Sequence, residues 1–139
     1  IKRKNNGLDE FRLTNQLTNA ARLHSEDMAR RLYFDHESPE GNSFSDRYSE
    51  VGFKCEVSWG STIYMGAENL ALNYLYNRIY TASGITYYEW AGIDEIAMSI
   101  VNGWMDSPGH RANILNDIFY REGIGVAYDS QYKIYITII

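Results

Sequence analysis

Ile93, Ile96, Ala97, Ile100, Val101, Trp104 and Met105 recur at three- and four-residue intervals, and the pattern stops at Pro108-Gly109. That spacing draws one continuous apolar stripe along a helix, which has to be buried against another layer. Asp94 and Glu95 fall in its first turn, where the helix dipole favours negative charge. Past the break, a second short helix is expected from about His110 to Asn116. The chain then changes period. Gly123–Tyr128 and Lys133–Ile139 read as two strands, joined as an antiparallel hairpin through Asp129-Ser130-Gln131. The second strand is almost wholly apolar after Lys133, which predicts burial on both faces.

The N-terminal half is read in the same way. Thr14 is placed to cap a helix running to about Tyr33. Leu13, Leu17, Ala20, Ala21, His24, Met28 and Leu32 lie along its apolar face. Ser43 is expected to cap a short helix reaching Tyr48 to Val51, with Gly52 stopping it. Residues 53–65 give mixed signals and are read as irregular, and Glu68 to Leu72 as extended. Residues 73–92 concentrate Tyr74, Tyr76, Tyr80, Tyr87, Tyr88 and Trp90 around Ser83-Gly84. This fits a hairpin that packs its own tyrosines onto the fold; the other reading is an aromatic surface for a partner. Helices come first and the last strands pair, so the fold class is α+β, a small antiparallel sheet covered by helices.

A length of 139 residues makes one domain and is long enough to bury a core. The chain begins with Ile1 rather than Met, so its N-terminal end is read as trimmed, with any signal peptide or anchor lying upstream. The net charge of −5 and the absence of a basic stripe argue against a nucleic-acid partner. No stretch is long and apolar enough for a transmembrane helix. The single cysteine, Cys55, rules out an internal disulfide and reads as a partly buried structural thiol.

Three histidines carry the candidate chemistry. His24 lies mid-helix among apolar neighbours and reads as a buried side chain with a structural hydrogen bond. Ser25, Glu26 and Asp27 beside it read as a solvated face. His36 and His110 stand at helix ends near Pro and Gly, in positions where scaffolds commonly present functional groups. Two imidazoles with the Glu68 carboxylate would suit a divalent metal with an open position for water, or a metal-free proton relay. Spacing alone does not bring them together. Motifs of the common hydrolases, zinc proteases and nucleotide-binding loops are absent.

Longer motifs add to this. They are Leu23-His24-Ser25-Glu26-Asp27-Met28-Ala29, Tyr33-Phe34-Asp35-His36-Glu37-Ser38-Pro39-Glu40-Gly41, Asp46-Arg47, Gly66-Ala67-Glu68-Asn69-Leu70-Ala71, Trp104-Met105-Asp106-Ser107-Pro108-Gly109-His110-Arg111-Ala112-Asn113-Ile114-Leu115 and Gly123-Ile124-Gly125-Val126. In order and spacing the chain resembles the CAP superfamily: cysteine-rich secretory proteins, antigen 5 and plant pathogenesis-related proteins. It is most similar to the short, disulfide-free bacterial and archaeal members.

The resemblance implies an α-β-α sandwich and an extracellular or cell-envelope location. It also implies a cleft lined by two histidines and two glutamates that binds zinc or another divalent cation in some members. The matching positions are His36, Glu68 and His110. At the second glutamate this chain has Ser99. Glu95 lies one turn earlier, but helical side chains lean toward the N-terminus, away from that place. The expected cleft is therefore His36, Glu68, Ser99 and His110, with His36, His110 and Glu68 as the metal set.

Three functions follow from this set. The first is a non-catalytic binding module for a lipid, a cell-envelope component or a protein, with a metal-capable cleft. The second is a divalent-metal-dependent hydrolase in which Glu68 activates a water on a His36/His110-bound metal. The third is a purely structural polar network. Asp46 and Arg47 are read as a structural pair, and Arg111 and Asn113 as structural members of their motif.

Overall fold

The computed structural model describes residues 1–139, Trp59 by its backbone only. In chain order the elements are α1 (Lys2–Asn5), β1 (Arg12–Leu13), α2 (Asn15–Arg31), α3 (Phe44–Glu50), β2 (Val57–Trp59), β3 (Thr62–Tyr64) and β4 (Asn69–Tyr74). They continue with β5 (Tyr76–Ala82), β6 (Ile85–Trp90), α4 (Ile93–Asp106), α5 (Pro108–Ile114), β7 (Arg121–Glu122), β8 (Ile124–Tyr128) and β9 (Lys133–Ile138).

Strand β9 lies between β4 and β8, and both pairings are antiparallel. Its side chains alternate between two layers, as the strand period requires. Ile134 and Ile136 cluster with Ile96, Ile100 and Trp104 of α4. Tyr135 points the other way and packs with Met28 and Ala29 of α2 and with Leu70. The central strand is thus buried on both faces, as its almost wholly apolar run predicts. The class is α+β, with helices on both sides of the small sheet.

Helix α2 sits directly on β8. A Cβ at Gly123 would collide with the backbone of Leu17 and Thr18, and one at Gly125 with that of Ala21 and Arg22. Only glycine lets helix and strand approach so closely. Ser25 is fully buried at this contact, its hydroxyl bonding the Gly125 carbonyl and Thr137 Oγ1. It therefore does not belong to a solvated face, because the tight helix–strand seam closes over it. The Thr14 hydroxyl accepts from the Leu17 N–H at 3.4 Å to cap α2, and Leu32, left-handed at φ 57°, ends it; that turn takes Leu32 off the expected apolar face and leaves it exposed.

Other expectations need correction. Leu13 is not on the helix: the cap at Thr14 leaves it outside, in β1, paired parallel with β7 and 64% exposed. Residues 53–65 are not wholly irregular, since β2 and β3 form an antiparallel hairpin there. Helix α5 begins at Pro108, which has no N–H to lose in a first turn.

The tyrosine-rich segment is the hairpin β5–β6, turning at Ser83 (φ 52°) and Gly84 (φ 75°). Its rings pack on one another rather than onto the core. Tyr80 stacks on Tyr87, and Tyr88 on Trp90. The contact with the rest of the protein is made at the hairpin base, where Tyr132 meets Tyr88 and Trp90 edge-on.

Candidate ligand cleft

The site is built around the first residues of β4. Glu68 precedes that strand and its side chain is fully buried. Oε1 lies 2.8 Å from His36 Nδ1, and Oε2 lies 2.6 Å from Arg47 Nη2. A carboxylate only accepts, so His36 donates from Nδ1, and Nε2 is the nitrogen not committed to Glu68. The His36 side chain is 53% exposed, which leaves that nitrogen at the surface end of the dyad.

Arg47 organises this corner. Besides Glu68 it donates to the His36 carbonyl at 2.9 Å and to the Asn42 carbonyl at 3.0 Å. One guanidinium therefore holds both the backbone and, through Glu68, the ring of His36. The pairing of Arg47 with Asp46 does not form. Asp46 instead completes a capping box with Ser43, accepting from its N–H at 2.8 Å. The Ser-x-x-Asp pattern was the available signal: it commits Asp46 to the helix end and leaves a buried Arg47 in need of another anion.

His24 sits behind the same loop, 2% exposed. Its Nε2 meets the Asp35 carbonyl at 3.0 Å, so Nε2 is the donor there. Burial, followed by the nearby Arg47 charge, pushes its pKa down. The expected structural role is the one found: His24 fixes the backbone one residue before His36. Tyr33 donates to Asp27 at 2.9 Å; burial and that bond push its hydroxyl pKa up.

His110 approaches from α5. Its Nδ1 lies 3.0 Å from Ser107 Oγ, and its carbonyl accepts from Asn69 Nδ2 at 3.1 Å. Asn113 donates to Asn69 Oδ1 at 2.8 Å. Asn69 and Asn113 therefore tie α5 to the strand start beside Glu68. Trp104 supports the corner from α4, giving its indole N–H to the Leu70 carbonyl at 2.8 Å, with its ring 6.5 Å from that of His110.

His36 and Glu68 are thus in direct contact, and His110 is joined to the residue after Glu68. Ser99 is exposed on α4, and Glu95 turns back as expected, accepting from the Gly92 N–H at 2.8 Å. Next to Glu68 and Asn69 opens a cavity of about 140 Å³, lined mainly by apolar groups such as Leu17, Tyr48, Phe53 and Ile139. Cys55 lies in its wall, half-buried, and burial pushes its thiol pKa up.

The cysteine-rich secretory protein model matches residues 2–139. The chain belongs to the cysteine-rich secretory protein family. Among curated proteins it is 29% identical over 123 residues to the uncharacterized protein YkwD of Bacillus subtilis, a match covering 88% of this chain and 37% of that protein. It is 32% identical over 105 residues to the uncharacterized membrane protein YlbC of the same organism, covering 74% of this chain and 22% of that one. The chain thus spans well under half the length of these relatives.

Two solved structures share the fold. One is an extracellular protein containing an SCP domain from Bacillus anthracis, with a TM-score of 0.63 and 24% identity, covering 99% of this chain and 36% of that one. The other is an outer surface protein of Borrelia burgdorferi, with a TM-score of 0.64 and 15% identity, covering 99% of this chain and 80% of that one. No helix of the chain is long and apolar enough to cross a membrane.

The family resemblance implies a divalent cation, and the donor set tests that. Among the described residues, no three His, Cys, Asp or Glu side chains are grouped to hold a metal. Glu68 is a poor ligand here, because its side chain has no exposed surface and its oxygens already accept from His36 and Arg47. What remains is two imidazoles, fewer than the three protein ligands usual in an open zinc site.

Proposed function

We propose that this domain is a non-catalytic binding module of the cell exterior or envelope, and that its cleft takes a ligand through His36 and His110. The carrying observation is the state of Glu68. Its carboxylate is buried, and both oxygens are engaged by His36 and Arg47. A general base has to reach a water or a substrate proton, and a carboxylate with no exposed surface is not placed to do so. In this arrangement Glu68 orients His36 instead. The apolar cavity beside Glu68 and Asn69, lined by neither histidine, suits a ligand with a nonpolar portion, such as a lipid or a lipid-bearing envelope component. The names of the extracellular and outer-surface neighbours support the location.

A second reading, a cleft that takes a divalent cation such as zinc, is favoured by one detail. Each histidine has Nδ1 engaged, His36 with Glu68 and His110 with Ser107, so that Nε2 is the nitrogen left to offer a lone pair to an ion. Outer partners of this kind orient imidazoles that bind metals. Two donors alone predict weak binding.

Zinc calorimetry on the wild type, His36→Ala and His110→Ala tests the shared cleft. Weak binding to the wild type that disappears in both variants supports it; equal binding to all three overturns it. Catalysis is tested on ester, peptide and glycan panels. Turnover that disappears in a folded Glu68→Gln variant would replace the binding module with a hydrolase. Inactivity of the folded wild type across the panels supports the module.

A further inference from the structure

The β5–β6 hairpin has few supports outside itself. Its base is tied by the Leu75 N–H to the Tyr132 carbonyl at 2.9 Å and the Ala91 N–H to the Leu75 carbonyl at 3.0 Å. Side chains near the base add Asn77 Nδ2 to Glu95 Oε2 at 3.3 Å, Tyr74 against Tyr76, and Tyr132 against Tyr88 and Trp90. From Tyr80 to Tyr87 the stabilisation is cross-strand, and an isolated two-stranded hairpin is marginal in water. An extracellular chain commonly secures such an element with a disulfide. This chain has one cysteine and cannot.

Tyr80 and Tyr87 stand directly opposite each other across the hairpin. Their rings stack at a centroid distance of 5.3 Å with 15° between planes. They are 45% and 41% exposed, open to an external oxidant. The other phenol pairs are less suited. Tyr74 meets Tyr76 at 41°, on consecutive strands that do not pair; Tyr76 meets Tyr88 at 64°, and Tyr88 meets Tyr132 at 71°. Tyr88 stacks on a tryptophan of its own strand rather than on a phenol. Among the described residues, Tyr80 and Tyr87 are the pair that combines two phenols, opposite strands, near-parallel rings and exposure on both sides.

We propose that Tyr80 and Tyr87 are a site of oxidative coupling, joined as a dityrosine that staples the hairpin across its strands. Each phenol gives up one electron and its hydroxyl proton, leaving a phenoxyl radical with spin density at Cε. The two Cε carbons form one carbon–carbon bond. Each ring then regains aromaticity as the hydrogen on its bonded Cε is lost as a proton and its oxygen is reprotonated. The net loss is two electrons and two protons. The co-reactant is hydrogen peroxide acting through a haem peroxidase, and it takes up both electrons and both protons to give two waters. Exposed side chains reorient on the picosecond-to-nanosecond scale, and the stacked start already holds the two rings side by side. The cross-link shortens the chain that is free when the hairpin opens, as a disulfide would.

The test treats the dilute full chain with hydrogen peroxide and a catalytic amount of peroxidase, followed by peptide mass mapping and dityrosine fluorescence. The variants are Tyr80→Phe and Tyr87→Phe, which keep a stacking ring but carry no oxidisable phenol. Tyr128→Phe serves as the control, because Tyr128 is 69% exposed and lies on β8. The expected product is monomeric, lighter by two hydrogens, with residues 80 and 87 in one linked peptide pair. Elastase cleavage after Ala82 should leave those peptides joined. The linkage should be absent from both test variants and present in the control. The proposal is overturned by no coupling, by coupling between molecules only, by linkage at other tyrosines, or by an equal yield from Tyr80→Phe.

Discussion

Arg47 and Glu68 form a buried ion pair, Nη2 to Oε2 at 2.6 Å, with side chains 7% and 0% exposed. Removing one member of such a pair leaves the other charge uncompensated, which costs about 3–5 kcal/mol. Glu68→Gln is therefore expected to lower the urea midpoint strongly. His36→Ala, at a half-exposed side chain, should cost no more than about 1 kcal/mol, in the range of an exposed pair. Equal midpoint shifts for the two variants would remove Arg47–Glu68 as the anchor of the cleft. Replacing both members by apolar groups, Arg47→Met with Glu68→Leu, should recover much of the loss, because neither charge is left unpaired.

Gly123 and Gly125 set the distance between α2 and β8, since a Cβ at either position would enter the helix backbone. Backbone cannot rotate away as a side chain can. Gly123→Ala and Gly125→Ala are each expected to cost at least the upper end of ordinary overpacking, about 3 kcal/mol. Gly103 and Gly109 have no such neighbour within 4 Å. Gly103→Ala, within α4, is expected to stabilise by up to about 1 kcal/mol. Thermal unfolding of the three variants checks the ordering, and a near-neutral Gly125→Ala would contradict the close approach.

Trp104 places its indole N–H on the Leu70 carbonyl at 2.8 Å, and both groups are buried. Trp104→Phe keeps an apolar ring but leaves that carbonyl without this donor, a loss of about 1–3 kcal/mol. The side chain also packs beside His110, so the His110 ring resonances should shift in the same variant. Unchanged His110 resonances would separate the tryptophan from the cleft.

The parts of the fold visible in sequence are those written in periodicity. The α4 stripe and the apolar run of β9 specify which faces are buried: β9 is covered on both sides, and α4 buries Ile96, Ile100 and Trp104, while Ile93 at its first turn and Ala97 stay exposed because the contact covers a narrower face than the pattern draws. The β2–β3 hairpin and the parallel β1–β7 pair are too short for a period to show. Glu68 and His36 belong to one motif set, but their direct bond is not visible there, because a separation of 32 residues carries no geometry. Sequence adjacency pairs Arg47 with Asp46, whereas the capping box with Ser43 takes that carboxylate first. The tyrosines of β5 and β6 read as core-packing because aromatics usually seek burial, but here they satisfy one another across the hairpin.

His24 should make stability depend on pH in a defined direction. Burial, then the Arg47 charge, lowers its folded pKa below the ordinary 6.5; Glu68, the Asp35 carbonyl and Asp27 oppose this more weakly. The unfolded imidazole therefore binds a proton more readily than the folded one. Stability from this residue is complete above the unfolded value and falls as the pH drops below it, toward the lowered folded value. His24→Gln retains a donor for the Asp35 carbonyl but does not titrate. Between pH 8 and pH 5 the urea midpoint should fall further in the wild type than in His24→Gln, and the difference between the two proteins isolates His24 from the other titrating groups. Parallel midpoints would mean that the buried imidazole accepts its proton in the fold as easily as in the unfolded chain.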